Sequence, residues 1–259
     1  MNGTGLRVEE AGSGSPAVVF SPSLWTNREL FDAPFAALSG DHRCIRYDHR
    51  GQGGSGLGAP QPSMEMLGTE GLYEDALALL DHLHVESCPW VGASVGGFVG
   101  VRLAARHPER IRSLTLIGFS SRRLSPADRR TVDTMGGALR LTHPLGPIGT
   151  WAKGQLVTRV MTNMFGTTFM SDPARTADRE HWRPLFAATA VPEAPTLLIS
   201  GEDELNMVDE DERDPVLAAT VMPDARFLAV PGAGHMVLVE QPELGTTAIT
   251  DFIAEVEAR

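Results

Sequence analysis

Short apolar runs alternate with segments of helical periodicity along this chain, and that alternation restricts its fold more than any other feature. Leu6–Glu10, Ala17–Phe20, Arg43–Tyr47, Cys88–Val91, Ser113–Ile117, Thr196–Ser200 and Arg226–Val230 read as strands. Several are continuously apolar rather than alternating, as strands are when helices cover both faces of a sheet. Between them, Gly71–Leu83 places Leu72, Ala76, Leu79, Leu80 and Leu83 at helical spacing. Val95–Arg106, Pro215–Val221 and Leu244–Val256 read as further helices. Strand–helix–strand order of this kind builds a mostly parallel central sheet flanked by helices, the α/β class.

The stretch 119–192 breaks the alternation. It lacks a clear strand and carries Trp151, Met161, Met164, Phe165, Phe169, Met170 and Trp182. The expected organisation is therefore an α/β core made of residues 1–118 and 193–259, with 119–192 inserted as a helical lid. The Met and aromatic side chains suit an apolar acyl or ring pocket, although packing of the lid onto the core accounts for any one of them equally well.

Composition narrows the partners. The 259 residues accommodate one such domain with an insertion. A formal net charge of −11 disfavours nucleic acid and anionic membrane surfaces. Cys44 and Cys88, the only two cysteines, make neither a disulfide framework nor a zinc set, and each opens an apolar run, as a reduced strand residue would. No apolar run reaches the roughly 18 residues of a membrane span. The opening Met1-Asn2-Gly3-Thr4-Gly5 lacks the basic-then-apolar character of a signal peptide, so a cytoplasmic protein is expected.

Two segments carry chemistry. Gly92-Ala93-Ser94-Val95-Gly96 follows a strand and opens a helix, fitting the G-x-S-x-G turn that presents a serine nucleophile. Small residues at 92 and 96 let the chains pass closely. The helix beginning at Val95 points its amides and positive dipole end toward the serine. The second segment is Pro231-Gly232-Ala233-Gly234-His235-Met236, a glycine-rich loop after the last strand. A neutral imidazole there can take the hydroxyl proton and return it to a leaving group. A carboxylate must orient that imidazole. Gly201-Glu202-Asp203-Glu204, after the strand Thr196–Ser200, supplies three; Glu204 is favoured and Asp203 is the second choice. The turn after Ser113–Ile117 reads Gly118-Phe119-Ser120 and offers none.

These landmarks together resemble the α/β-hydrolase family. Asp48-His49-Arg50-Gly51-Gln52-Gly53-Gly54-Ser55 is similar to that family's D-x-R-G-x-G-x-S turn, and Pro108-Glu109-Arg110-Ile111 to the segment after its elbow helix. Gly234-His235 with Glu240-Gln241-Pro242-Glu243 resembles its histidine loop and last helix, and the order serine, acid, histidine is the family's. The landmarks span roughly residues 17–118 and 194–258. Phe20-Ser21-Pro22-Ser23-Leu24-Trp25 resembles the serine-containing oxyanion segment of 3-oxoadipate enol-lactonases. That resemblance implies oxyanion donors at the backbone amides of Leu24 and Val95, with Ser23 ordering the loop. It implies a cofactor-free hydrolase that attacks a small-molecule ester or lactone through Ser94 and His235. Thioesterase, carbon–carbon hydrolase and perhydrolase activities use the same residues, and a slow-turnover ligand receptor on this scaffold is the reading from another class.

Other patterns point elsewhere. Gly51-Gln52-Gly53-Gly54-Ser55-Gly56 matches a dinucleotide fingerprint, but the Pro-containing Leu57–Pro62 that follows cannot open the helix a pyrophosphate needs. Asp209-Glu210-Asp211-Glu212 lacks the spacing of a calcium loop. His82 and His84 lie two apart on helical spacing and face different ways.

Overall fold

The computed structural model describes residues 3–24, 26–58, 69–119, 193–202 and 222–259. The 119–192 insertion, apart from Phe119, and the helix expected at Pro215–Val221 lie outside them, as do Trp25, Asp203 and Glu204.

The strands are β1 (Val8–Ala11), β2 (Val18–Ser21), β3 (Cys44–Tyr47), β4 (Cys88–Ala93), β5 (Ile111–Ile117), β6 (Thr196–Gly201) and β7 (Ala225–Val230). The helices are α1 (Asp32–Leu38), α2 (Thr69–His82), α3 (Val95–Arg106), α4 (Val237–Glu240) and α5 (Pro242–Glu257). Among the described residues the seven strands form one sheet, ordered β1-β3-β2-β4-β5-β6-β7. β1 pairs antiparallel with β3 at one edge, and every other pairing is parallel. The interior strands are the buried ones: β2, β3, β4 and β6 are buried throughout, and only Arg112 of β5 is exposed. At the other edge, β7 alternates between partly buried and exposed residues.

Each strand feeds two cores. Val19, Ile45, Trp90, Leu114, Leu116 and Leu198 meet α2 and α3 on one face of the sheet. Val18, Phe20, Val91, Ile117, Leu197 and Ile199 meet α1 and α5 on the other. Neighbours in sequence thus point to opposite faces, as strand geometry requires. Helix α1 is absent from the sequence expectation: it is two turns long and carries Pro34 in its first turn. Phe31, Phe35 and Leu38, at i, i+4 and i+7, are what bury it.

The chain leaves β2 toward β3 on one side, then returns past β2 to lay down β4 on the other. Ligand crevices in open α/β sheets form beyond the strand ends at such a reversal. The register puts Ser21 opposite Gly92 and Ala93 opposite Ile117, so these strands end level. The segments after β2 and β4 therefore begin side by side. No helix among the described residues is long and apolar enough to cross a membrane.

Candidate active site

Ser94 joins β4 to α3 with φ 47° and ψ −110°, a left-handed conformation that a residue with a Cβ adopts at a cost. The surroundings hold it there. Its amide donates to the Ile117 carbonyl at 2.8 Å, and its carbonyl accepts from the Gly97 amide at 2.9 Å. Close backbone packing completes the elbow. A Cβ on Gly92 would fall 2.4 Å from the Gly96 carbonyl, and one on Gly96 only 2.1 Å from the Ser21 carbonyl oxygen. The Trp90 indole N–H, buried beneath the helix, donates to the Gly96 carbonyl at 2.9 Å.

His235 reaches the same place from the loop after β7. Its ring lies against Gly118, where a Cβ would be 3.0 Å from Cε1 and 3.1 Å from Nδ1. Gly118, at φ 56°, directly follows the Ile117 carbonyl that binds the Ser94 amide, so both residues meet the end of β5. The loop itself is anchored twice. Glu240 accepts from the Gly234 amide at 2.6 Å, and the Gln241 amide group donates to the Gly232 carbonyl at 3.2 Å. Gly201, at the end of β6, touches it as well, since a Cβ there would sit 2.1 Å from the Ala233 carbonyl oxygen. A cleft results, lined among the described residues by Ser23, Ser94, Ile117, His235, Met236 and neighbours.

Comparison with known proteins matches this fold. A family model described as the alpha/beta hydrolase fold matches residues 16–141. The enol-lactonase of Burkholderia xenovorans LB400 superposes with a TM-score of 0.66 at 28% identity, covering 98% of each chain. The chain has the α/β-hydrolase fold. It resembles enol-lactonases in particular: 3-oxoadipate enol-lactonase 2 of Acinetobacter baylyi is 34% identical over 107 residues, 41% of this chain and 38% of that one. A putative carbamate hydrolase RutD of Azorhizobium caulinodans is 34% identical over 113 residues, 43% of this chain and 40% of that one. The match thus spans about two fifths of the length of these curated relatives.

On this hydrolase scaffold the residues expected from sequence are placed as follows. Ser94 and His235 line one cleft. Val95 is the buried first residue of α3. Leu24 is 41% exposed and follows Ser23, a cleft residue whose carbonyl accepts from both the Thr26 amide and its hydroxyl. Glu202 is exposed, just past β6, and Glu204 lies outside the described residues. Both thiols are buried, which pushes Cys44 and Cys88 up to about 12 and leaves neither a competing nucleophile.

The D-x-R-G-x-G-x-S turn proves to be dense with polar contacts that sequence reasoning did not assign. The buried Asp48 carboxylate accepts from the Arg28 amide at 2.7 Å, the Arg28 guanidinium at 2.9 Å and the Gly54 amide at 2.8 Å. Arg50 and Asp75 form a fully buried ion pair between this turn and α2. Ser55 donates to the Asp48 carbonyl and accepts from the Arg7 amide. The Asp48 carboxylate fills the space inside the glycine loop, 2.3 Å from a Cβ on Gly53, where the dinucleotide fingerprint would need open room. His49 donates to the Pro22 carbonyl at 2.8 Å, and burial pushes its imidazole down to about 4. The motif's spelling was visible beforehand, but a partner such as Pro22 or Asp75, 27 and 25 positions away, leaves no local signal.

Proposed function

We propose that this protein is a serine hydrolase that cleaves a carboxylic ester or lactone of a small molecule through an acyl-enzyme. One observation carries the reading: Ser94, held strained at a strand-to-helix elbow, lines the same cleft as His235. His235 takes the proton from the Ser94 hydroxyl as its oxygen attacks the substrate carbonyl. The tetrahedral oxyanion faces the backbone amides of Leu24 and Val95. Collapse breaks the carbon–oxygen bond of the leaving group, which takes the proton from His235. Water, deprotonated by His235, then attacks the acyl-enzyme, releasing the acid and restoring Ser94. Glu204 orients the imidazole, with Asp203 the alternative. That segment begins at Gly201, which packs on the histidine loop, and this contact supports a carboxylate role just beyond it. The 119–192 insertion acts as the lid that shapes the substrate pocket.

The likeness to enol-lactonases favours lactones and enol-lactones. The likeness to putative carbamate hydrolases supports a second substrate class, carbamates, attacked at the same carbonyl carbon by the same residues. A panel of lactones, enol-lactones, p-nitrophenyl esters, acyl thioesters and carbamates separates these. Rapid multiple turnover, abolished in Ser94→Ala with folding intact, is expected. Stoichiometric binding without turnover across the whole panel would point to a receptor instead. Glu204→Gln is expected to cut turnover strongly and Asp203→Asn mildly, and the reverse ranking reassigns the acid.

A further inference from the structure

His49 is not among the described residues that line the cleft, yet its imidazole hydrogen bond reaches the segment that does line it. The imidazole is buried, and its Nε2 lies 2.8 Å from the Pro22 carbonyl oxygen. That oxygen can only accept, so the ring carries its proton on Nε2. Nδ1 is buried with no hydrogen-bond partner among the described residues, which leaves the Pro22 bond as what orients the ring together with an edge-on contact to Tyr47 at 5.3 Å. Burial outweighs the pull of the Pro22 carbonyl, Asp75 and Asp48, so the ring stays neutral at ordinary pH.

Pro22 sits between β2 and Ser23, and the segment is gripped from three directions. The Ser21 hydroxyl shares a buried hydrogen bond of 2.9 Å with the Tyr47 hydroxyl. The first turn of α3 presses on the same stretch: a Cβ on Gly96 would be 2.1 Å from the Ser21 oxygen and 2.9 Å from the Pro22 oxygen. His49 holds the third point. A carbonyl oxygen and the following amide share one rigid plane, so fixing the Pro22 oxygen fixes the Ser23 amide and the direction in which the chain enters Leu24.

We propose that His49 is a positioning residue, which through its bond to the Pro22 carbonyl sets the Ser23–Leu24 backbone against Ser94 and so aims the oxyanion donor of Leu24. The inference rests on the serine-hydrolase reading above. Oxyanion stabilisation depends on donors aimed at where the charge develops, and a displacement of about 1 Å is enough to lose much of it.

The test compares His49→Leu, His49→Gln and His49→Asn in p-nitrophenyl acetate hydrolysis, with wild type and Ser94→Ala alongside. Leucine fills similar volume without a donor. Glutamine keeps an amide N–H at the reach of Nε2, and asparagine keeps the amide but falls short of Pro22. The expected result is a kcat loss of roughly 100-fold in the Leu and Asn variants with KM little changed, and recovery of most of it in Gln. Affinity for an aryl boronic acid, which forms a tetrahedral adduct with the serine, should fall in parallel with kcat. If the Leu variant does not fold, the Gln and Asn pair carries the same comparison. Ser94-dependent turnover that is unchanged in both Leu and Asn, or lost in Gln as fully as in Asn, overturns the positioning role while the hydrolase reading stands. Turnover that is absent from wild type, or that survives Ser94→Ala, removes that reading and this inference with it.

Discussion

Two turns leave the sheet on either side of β2, one after β3 and one after β4, and are made rigid by opposite means. The turn after β3 is built from charge: Asp48 accepts three hydrogen bonds, and Arg50 is buried against Asp75. The elbow after β4 contains no charged side chain at all. It is held by backbone hydrogen bonds and by glycines at van der Waals limits, and it stores strain at Ser94. The difference follows from what each turn must leave open. The charged side chains of the β3 turn are all engaged in buried contacts, and none is among the described residues that line the cleft. The elbow leaves its central side chain lining the cleft, and its constraints come from the main chain. The charged residues of the β3 turn are therefore architecture, and the elbow sets a neutral serine in the cleft.

Breaking the charged turn should give the largest effect on stability. Asp75→Ala leaves the Arg50 guanidinium buried without its carboxylate, which costs about 3–5 kcal/mol in denaturant unfolding. Replacing both members by apolar residues, Arg50→Met with Asp75→Leu, should recover much of that loss, because the desolvation penalty disappears with the charge. A single-variant loss under about 1 kcal/mol would mean that the turn is not held by this pair.

Acid sharpens the same comparison. The paired charges of the β3 turn tolerate burial, whereas the His49 imidazole must be neutral to stay inside. Its pKa in the fold is about 4, against 6.5 for an exposed histidine. Below about pH 6.5 the unfolded chain takes up this proton and the folded one does not. The contribution to stability is thus complete above pH 6.5 and declines as pH falls toward 4, by roughly 3 kcal/mol in total. Unfolding of wild type and His49→Gln, followed from pH 7 to pH 4, should show the steeper acid loss in wild type. Equal slopes would contradict a buried neutral ring.

How much of this could be read in the amino-acid order depends on the range of the interaction concerned. The interior strands were legible because burial on both faces demands largely apolar runs, as in β2, β4 and β6, although β3 carries Arg46 and β5 carries Arg112. The α3 boundaries, Val95 and Arg106, were legible because the elbow motif marks the start and His107-Pro108 the stop. Helix α1 was not, since a seven-residue helix with an internal proline owes its existence to Phe31, Phe35 and Leu38 finding Phe20 and Val18. At the candidate site, local glycine patterns singled out Ser94 and His235, and the structure brings both to one cleft. The expected carboxylate was not singled out, because three acids adjoin in Glu202, Asp203 and Glu204 and only the path of the backbone could rank them. The roles of Asp48, His49 and Arg50 stayed hidden for a related reason: each is decided by a partner far along the chain.

A smaller effect isolates the strain in the elbow. Ser94→Gly removes the Cβ that makes φ 47° costly, and the gain is offset in part by the greater freedom of glycine in the unfolded state. The expected outcome is a stabilisation of about 1 kcal/mol over wild type, together with loss of turnover. Ser94→Ala loses turnover too but keeps the Cβ, so it should show no such gain. The Gly–Ala difference therefore measures stored strain separately from chemistry, and two equal melting curves would show that the elbow is relaxed.

The least effect is expected where the chemistry of the charged turn is repeated without its burial. Arg226 and Glu255 form a two-pronged ion pair between β7 and α5, the same arrangement as Arg50 with Asp75, and carboxylate and guanidinium each stabilise the charge on the other. Both side chains are about half exposed, 44% and 48%, while those of Arg50 and Asp75 are at 0% and 1%. In water the attraction is screened, and the freed partner is rehydrated at once when the other is removed. Arg226→Ala should leave the melting temperature unchanged within error, in low salt as in high. A loss as large as that of Asp75→Ala would show that geometry rather than burial decides what an ion pair contributes here.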